Sequence, residues 1–375
     1  MMLKLIVLFF IIMFLLNCGK NPVDPAELIY KIEPTKVEIR GRELYVNDKK
    51  FIIKGVGYAP TPIGYYPWEK DVFSDPDIYN RDLPLLRAMG CNTIRTWAKV
   101  TSRDFLDACY NNGQNPIYVI MGFWFDANQV VTNSTLRQQT IDEFVSYVNT
   151  FKNHPAVLMW AIGSENNLNY TASPLSDLYE FVNEMAKAAH LAEGANFHPT
   201  IYPNGGTTAD GGIGTIGESI YKTDDSSMIY LDVWGVNSYK DTYPSFGTLF
   251  TEYASKSSKP LVITEFGIDA YDNVHSTTYE TTQASWTVQL WDEIEANSDI
   301  CCGGCIMAYS DEWWKNKDDA NDPYLHNATG GARDDQPDKF SNEEWYGIMA
   351  VADNGNAPDI LTPRKVYYEL QKKWR

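Results

Sequence analysis

Basic residues are scarce in this chain. Its 375 residues include 31 Lys and Arg against 49 Asp and Glu, which gives a formal net charge of -18 and a pI of about 4.7. A surface of that sign repels phosphate backbones, so we expect no nucleic-acid partner.

Cysteine and histidine are too few and too scattered to suggest a metal site. Cys302 and Cys305 have the spacing of half a zinc motif, but no second pair accompanies them. We interpret them as small apolar residues of a tightly packed strand. The odd number of cysteines after Cys18 leaves at least one thiol free. The sequence therefore predicts no metal and no cofactor, and it excludes a metal-dependent esterase.

Internal repeats, low-complexity tracts and a second-domain boundary are also missing. Hydrophobic residues make up 44% of the chain, enough for one large core, and we expect a monomer. Aromatic residues are abundant instead, at 14% with 11 Trp and 24 Tyr. They suit stacking on the C–H faces of sugar rings, and they suit a Trp-rich core equally well.

The first residues predict a targeting segment. One positive charge in residues 1–4 precedes the apolar run Leu5–Leu16, which is short for a bilayer span and typical of a signal peptide. The sequence around Cys18 resembles a bacterial lipoprotein box, although Asn17 replaces the usual small residue. We expect residues 1–17 to be removed, Cys18 to be lipidated, and 18–30 to form a tether. This predicts export to the cell envelope, with the lipid as the only membrane contact; plain secretion is the alternative.

Strand-like and helix-like patterns alternate along residues 31–375. Eight strands alternating with seven or eight helices predict an α/β protein, a single (β/α)8 TIM barrel preceded by a short hairpin with a turn at 46–49. The Gly-rich region 196–227 is hard to assign, and the polar region 315–343 is interpreted as one long loop. The eight predicted strands begin at Phe51, Cys91, Pro116, Ala156, Thr200, Tyr230, Pro260 and Cys302.

Two of these strands end in a glutamate. The run 156–165 ends in Glu165, and the run 260–267 places Glu265 near its end. Active-site groups of such barrels lie at the C-terminal ends of strands. Two carboxyl groups about 5 Å apart there would suit a double-displacement glycosidase. A lone glutamate at a strand end is more often a salt bridge or a cap; two on one barrel reverse that preference.

The sequences around these glutamates resemble the motifs of clan A retaining glycoside hydrolases. The resemblance rests on residues 154–165 and 259–267, supported by 51–58 and 90–97. The most similar forms are the barrel of family two, which includes β-galactosidase and β-glucuronidase relatives, and the family seventy-two β-1,3-glucanosyltransferases. The second group is indicated by residues 81–86 leading into 92–95.

The resemblance implies roles for individual residues. Glu165 would be the acid/base and Glu265 the nucleophile. Arg95 would hold the nucleophile ionised, unless it forms a surface ion pair. Tyr239, in a segment with Asn237, would hydrogen-bond Glu265, unless it is a rim residue. Tryptophans would form the sugar-binding wall: Trp313 or Trp314 after the eighth strand, with Trp97 and Trp124 as further candidates that could equally belong to the core.

One position departs from the clan. The usual Asn before the acid/base, which binds the sugar 2-hydroxyl, is Ser164 here, and Asn166 follows as a substitute whose side chain should point differently. The resemblance implies a retaining β-glycosidase acting on a β-linked polysaccharide or oligosaccharide, with β-glucan preferred. A transglycosylase with the same residues is the first alternative. An inactive carbohydrate-binding lipoprotein, which Ser164 permits, is the second.

Overall fold

The computed structural model describes residues 34–194, 197–206, 213–240, 242–315, 322–355 and 358–375. These residues belong to one compact unit, Pro34–Arg375. The predicted signal peptide, the predicted lipidation site at Cys18 and the whole predicted tether, 18–30, lie outside the described residues.

Eight parallel strands close into a barrel, which confirms the predicted fold. Each is buried on both faces, as strands covered by helices on the outside and packed on the inside must be. Lys54 is the one strand residue that is only partly buried, and its Nζ reaches the carbonyl of Trp374 at 2.8 Å. In barrel order the strands are β4 (Ile53–Gly57), β5 (Thr93–Arg95), β6 (Tyr118–Phe123), β7 (Val157–Ile162), β8 (Thr200–Gly205), β9 (Val233–Asn237), β10 (Leu261–Phe266) and β13 (Cys301–Ile306).

Helices surround the barrel and follow most of its strands. Their boundaries agree with local signals: Ser102 caps α2 by accepting a hydrogen bond from the Phe105 amide, and Gly90 ends α1 in the left-handed region. The α-helices of the described residues are α1 (Pro76–Met89), α2 (Arg103–Tyr110), α3 (Ala127–Val130), α4 (Ser134–Phe151), α5 (Leu175–Glu193), α6 (Leu249–Lys256), α7 (Glu280–Ala296) and α8 (Lys365–Trp374). Short 3-10 turns occur at Val72–Ser74, Asn111–Gly113, Ser219–Tyr221 and Glu343–Trp345.

The connection from β8 to β9 differs from the other crossovers. The 3-10 turn Ser219–Tyr221 is the helical element in its described part, 206 and 213–232. This is the Gly-rich region in which the sequence pattern predicted no clear element.

A small antiparallel sheet precedes the barrel. It consists of β1 (Val37–Arg40), β2 (Glu43–Val46) and β3 (Lys49–Lys50), and the predicted turn is present at Asn47–Asp48 with positive φ at both residues. Gly41 takes a φ of +63° and turns the chain between β1 and β2, which pair with each other. Val37, Leu44 and Val46 pack with the first residues of barrel strands and cover the N-terminal end of the barrel.

The segment after β13 returns over the C-terminal end of the barrel. It was predicted as one loop over 315–343, and this is wrong for β14 (Gly331–Ala332) and β15 (Phe340–Ser341), which pair as a short ladder. Further ladders are β11 (Tyr271–Asp272) with β12 (Thr277–Thr278), and β16 (Met349–Ala352) with β17 (Ile360–Pro363). A buried bidentate pair between Arg364 and Asp311, at 2.5 and 2.7 Å, fixes the start of this segment.

The five cysteines after Cys18 are buried free thiols. Cys301, Cys302 and Cys305 lie in β13, which confirms the interpretation of that motif as a strand.

Candidate active site

Glu165 and Glu265 line one cavity of about 560 Å³ at the C-terminal end of the barrel. Glu265 is the fifth residue of β10, and Glu165 follows the end of β7 by three residues. Glu165 adopts a φ of +51°, a region that residues with a Cβ seldom occupy. Its amide donates to the Pro203 carbonyl at 2.9 Å, which holds this conformation against the neighbouring strand.

Hydrogen-bond donors surround the Glu265 carboxyl group. Oε1 accepts from Arg95 Nη1 at 2.7 Å and from Trp97 Nε1 at 2.9 Å. Oε2 accepts from the Tyr239 hydroxyl at 3.3 Å. Donors on both oxygens suit a carboxylate that acts as a nucleophile.

Glu165 lies in a different electrostatic environment. Burial, and then the negative charge of Glu265, raise the pKa of Glu165 to about 7. The nearby Asn237 side chain and the charges of Arg95 and Lys315 oppose this rise in pKa only in part. Glu165 can therefore hold a proton near neutral pH while Glu265 receives donors, and this is the division that an acid and a nucleophile need.

The residues on either side of Glu165 have distinct roles. Ser164 Oγ accepts from Arg95 Nη2 at 2.8 Å, so one guanidinium contacts both glutamate segments. Asn166 Oδ1 accepts from the Ser164 amide at 3.0 Å, and its Nδ2 donates to the Phe125 carbonyl at 2.8 Å. These bonds stabilise the loop, and Asn166 is not among the described residues that line the cavity.

The end of β9 supports both glutamates. Asn237 is buried, accepts from Thr264 Oγ1 at 2.7 Å, and its side chain acts to lower the pKa of Glu165. It acts behind the cavity wall rather than as part of the described lining, whereas Tyr239 lines the cavity directly.

The candidate tryptophans separate into two groups. Trp97 and Trp124 line the glutamate cavity, and Trp124 is 59% exposed, with its ring open to solvent. Trp314 lines a second cavity. Trp313 instead stacks on His326, with ring centroids 4.6 Å apart and planes 13° apart, and does not line either cavity within the described part of the chain.

The second cavity, of about 460 Å³, adjoins the first and shares Trp97, Trp124 and Lys315 with it. Its wall includes Trp68, which is 73% exposed and stacks on Tyr66 at 4.7 Å. Other aromatic and charged residues complete it, namely Tyr58, Phe73, Trp314, Lys70, Asp71, Lys99 and Glu312. The loop after β4 supplies much of this wall.

Sequence reasoning missed several lining residues. Met307 directly follows β13, and the others come from the segment after it or from polar loops, where no periodicity identifies them. The missed residues of the glutamate cavity are Leu168, Gly206, Met307, Lys315, Arg333, Glu343 and Tyr346.

Across the described ranges, no group of three or more His, Cys, Asp or Glu side chains is arranged to hold a metal ion. Within those same residues, no helix combines the length and apolar character that crossing a membrane requires.

The fold and the paired glutamates define a barrel of the clan A glycoside hydrolase type. Residues 28–317 match the model of the glucanosyltransferase family, glycoside hydrolase family seventy-two, and the chain belongs to this family.

Individual relatives agree with this placement. The chain is 26% identical over 290 residues to the 1,3-beta-glucanosyltransferase GAS4 of Saccharomyces cerevisiae, covering 71% of this chain and 57% of that protein. It is 25% identical over 247 residues to a beta-glucuronidase of Mus musculus, covering 62% of this chain and 35% of that protein. The chain thus spans less than two thirds of the length of either relative.

Solved structures share the fold. A GH2 beta-galacturonidase from Eisenbergiella tayi superposes with a TM-score of 0.62 at 18% identity, covering 91% of this chain and 54% of that one. A beta-glucuronidase from Faecalibacterium prausnitzii superposes with a TM-score of 0.63 at 16% identity, covering 91% of this chain and 51% of that one.

Proposed function

We propose that this chain cleaves a β-linked glucan by double displacement and passes the bound segment to a second sugar chain or to water. The observation that supports it most is the pairing of Glu265, surrounded by donors, with Glu165, whose pKa is raised to about 7, in one cavity. Family membership supports transfer to a sugar, and the yeast relative is named for that reaction.

In the first step, Glu265 attacks the anomeric carbon. The glycosidic C–O bond breaks, and Glu165 gives its proton to the departing oxygen. In the second step, Glu165 takes a proton from a sugar hydroxyl or water. That oxygen attacks the anomeric carbon and releases Glu265. The configuration of the anomeric carbon is retained after two inversions.

Charge pairing in the cavity supports a neutral sugar. Among the described lining residues the cations are Lys315 and Arg333. Lys315 pairs with Glu312 at 2.6 Å, and Arg333 Nε donates to Asp335 Oδ1 at 3.1 Å. A uronic acid would need one of these pairs to break in order to balance its carboxylate. We therefore assign glucan, rather than the uronides named for the glucuronidase and galacturonidase relatives, as the substrate.

The second cavity supports a long substrate. It includes neither Glu165 nor Glu265 in its described wall, but it adjoins the glutamate cavity through Trp97, whose Nε1 donates to Glu265. Sugars on the nucleophile's side of the broken bond stay with the enzyme, while the leaving group departs past the acid. The aromatic wall around Trp68 and Trp124 would hold the retained segment by stacking on its rings.

We also propose that the chain is exported, and that it is held at a membrane by a lipid on Cys18. The apolar run Leu5–Leu16 followed by Cys18 supports this. Labelling with a radioactive fatty acid in a bacterial host should mark the wild type but not C18A.

The function is tested on the soluble chain without residues 1–18, beside its E265Q variant. Both are incubated with β-1,3-glucan, mixed-linkage glucan, cellulose, mannan, xylan and galactan, and the products are sized. We expect the wild type to shorten or lengthen a β-glucan and E265Q to leave it unchanged. If one polysaccharide binds both proteins equally and neither alters it, the chain is a carbohydrate-binding lipoprotein and the proposal is wrong.

A further inference from the structure

The Tyr239 hydroxyl has one proton and two acceptors. Met307 Sδ lies 2.9 Å from the hydroxyl oxygen, and Glu265 Oε2 lies 3.3 Å from it. The second distance is long for a hydroxyl that donates to a carboxylate, for which 2.5–2.7 Å is usual. The thioether sulfur therefore competes with the carboxylate for this proton.

The two oxygens of Glu265 differ as a result. Oε1 accepts two short bonds, from Arg95 and Trp97, whereas the one donor to Oε2 among the described residues is Tyr239, at the longer distance. An oxygen with fewer donors keeps its lone pairs available for attack. Oε2 is thus the better nucleophile of the two.

Met307 is held where it can influence this choice. It follows directly on β13, lines the glutamate cavity and is 6% exposed. It packs in a small cluster with Ala308 and Tyr346, against which Tyr239 also lies. The sulfur is therefore fixed beside the hydroxyl.

We propose that Met307 is a positioning residue whose sulfur accepts the Tyr239 proton and so leaves Glu265 Oε2 as the attacking oxygen. This inference rests on the proposed function. As the bond from Oε2 to the anomeric carbon forms and the glycosidic bond breaks, Oε1 becomes the ester carbonyl oxygen. Arg95 and Trp97 are already placed to donate to it.

Replacing the sulfur should transfer the hydrogen bond to the carboxylate. Leu has a volume close to that of Met and no acceptor, so M307L keeps the packing and frees the Tyr239 proton for Oε2. A donor on Oε2 stabilises the free carboxylate. It therefore slows attack by Oε2 and assists its later departure from the sugar.

The first test is a high-resolution crystal structure of M307L beside the wild type and M185L. Met185 is a fully buried methionine of α5 that does not line the glutamate cavity, so M185L controls for the loss of a buried sulfur. In M307L we expect the distance from the Tyr239 oxygen to Glu265 Oε2 to shorten to about 2.6 Å. A distance still at the wild-type value of 3.3 Å overturns the inference, whether or not the protein is active.

The second test measures the two chemical steps. A dinitrophenyl β-glycoside of a β-1,3-linked glucose oligosaccharide needs little acid assistance, so its kcat/KM reports attack by Glu265 and its kcat reports release of the sugar. M307L should lower kcat/KM about three- to tenfold without lowering kcat.

A double-mutant comparison separates positioning from packing. In Y239F there is no hydroxyl proton to direct, so adding M307L should cause no further loss. An equal loss in both backgrounds would show that Met307 only fills space. A wild type that does not turn over the glycoside refutes the proposed function instead, and the crystallographic distance still decides the role of Met307.

Discussion

Arg95 and Glu265 form a buried ion pair that joins the second and seventh strands of the barrel. Their contact is 2.7 Å, and the side chains are 1% and 8% exposed. The other end of the same guanidinium donates to Ser164 beside Glu165. Arg95 therefore couples the two glutamate segments and sets their relative orientation.

Arg95 can be tested by changing its shape and then its charge. R95K keeps the positive charge but lacks the planar guanidinium, so one side chain can no longer donate to both Glu265 and Ser164. We expect kcat/KM to fall about 100-fold. R95M removes the cation that pairs with the buried Glu265 carboxylate and should lower the free energy of unfolding by about 3–5 kcal/mol in urea titration. The matched control is R40K, in an exposed ion pair with Glu38, and it should change stability by less than about 0.5 kcal/mol. A fully active R95K would contradict this role.

The protonation state of Glu165 predicts the alkaline limb of the activity. Because the pKa of Glu165 is raised to about 7, the carboxyl group is protonated below that pH and ionised above it. A general acid must be protonated, so kcat/KM for a natural glucan should fall about tenfold per pH unit above 7. Activity that stays level up to pH 9 would show that another group donates the proton.

The free energy of unfolding should fall as pH rises from about 4 to about 7. The pKa values of Glu165, Asp269 and Glu344 are each raised to about 7, chiefly by burial, whereas unfolded carboxyl groups titrate near 4. Between about pH 4 and pH 7 the folded state binds more protons than the unfolded state. Protonation of these carboxyl groups therefore favours the folded state fully below about pH 4, and this contribution to stability is lost as pH rises through about 7.

The contribution of Glu165 can be isolated with E165Q. The amide cannot ionise, so E165Q should be more stable than the wild type by roughly 1–3 kcal/mol at pH 8 and similar to it at pH 4. Thermal unfolding at both pH values measures the difference. If the wild type and E165Q were equally stable at pH 8, ionisation of Glu165 would not destabilise the folded state, which contradicts the raised pKa.

The second cavity predicts a dependence on substrate length. W68A removes an exposed aromatic face at its rim and should raise KM for a long β-1,3-glucan five- to thirtyfold, which corresponds to about 1–2 kcal/mol. The effect on an aryl glucoside of one sugar should be much smaller. I220A, at a residue 78% exposed and outside both described cavity walls, is the control for losing a surface hydrophobic side chain. Equal losses on long and short substrates would place the retained segment elsewhere.

The charge pairing predicts selectivity between sugars. An aryl β-glucoside should be turned over, and the matching β-glucuronide should have a kcat/KM lower by at least about 100-fold, because its carboxylate meets cations that are already paired. The comparison needs only two chromogenic substrates. A preference for the glucuronide would contradict the assignment of a neutral substrate.

The barrel strands and the glutamates could be predicted from sequence because their signals are local. Buried parallel strands are continuous apolar runs, and Glu165 and Glu265 mark the ends of two of them. Arg95, Trp97 and Tyr239 were identified through the resemblance, and the structure places all three on Glu265.

The remaining site residues depend on tertiary packing. The segment after β13 folds back over the barrel, and this places Lys315, Arg333 and Tyr346 at the cavity. The segment is polar and has no hydrophobic periodicity, so its path cannot be predicted from local sequence. Trp313 and Trp314 are adjacent in sequence, yet one stacks on His326 and the other lines the second cavity. The conformation of the loop after β13 decides which of the two rings faces the second cavity.

The most direct measurement is covalent trapping. A 2-deoxy-2-fluoro glycosyl fluoride of a β-1,3-linked glucose disaccharide slows both steps but releases a good leaving group, so the glycosyl-enzyme should accumulate. Peptide mapping by mass spectrometry should then find the sugar on Glu265 in the wild type and in M185L, and no label in E265Q. A turned-over substrate with inverted configuration, or a label on Glu165, would contradict the double-displacement account.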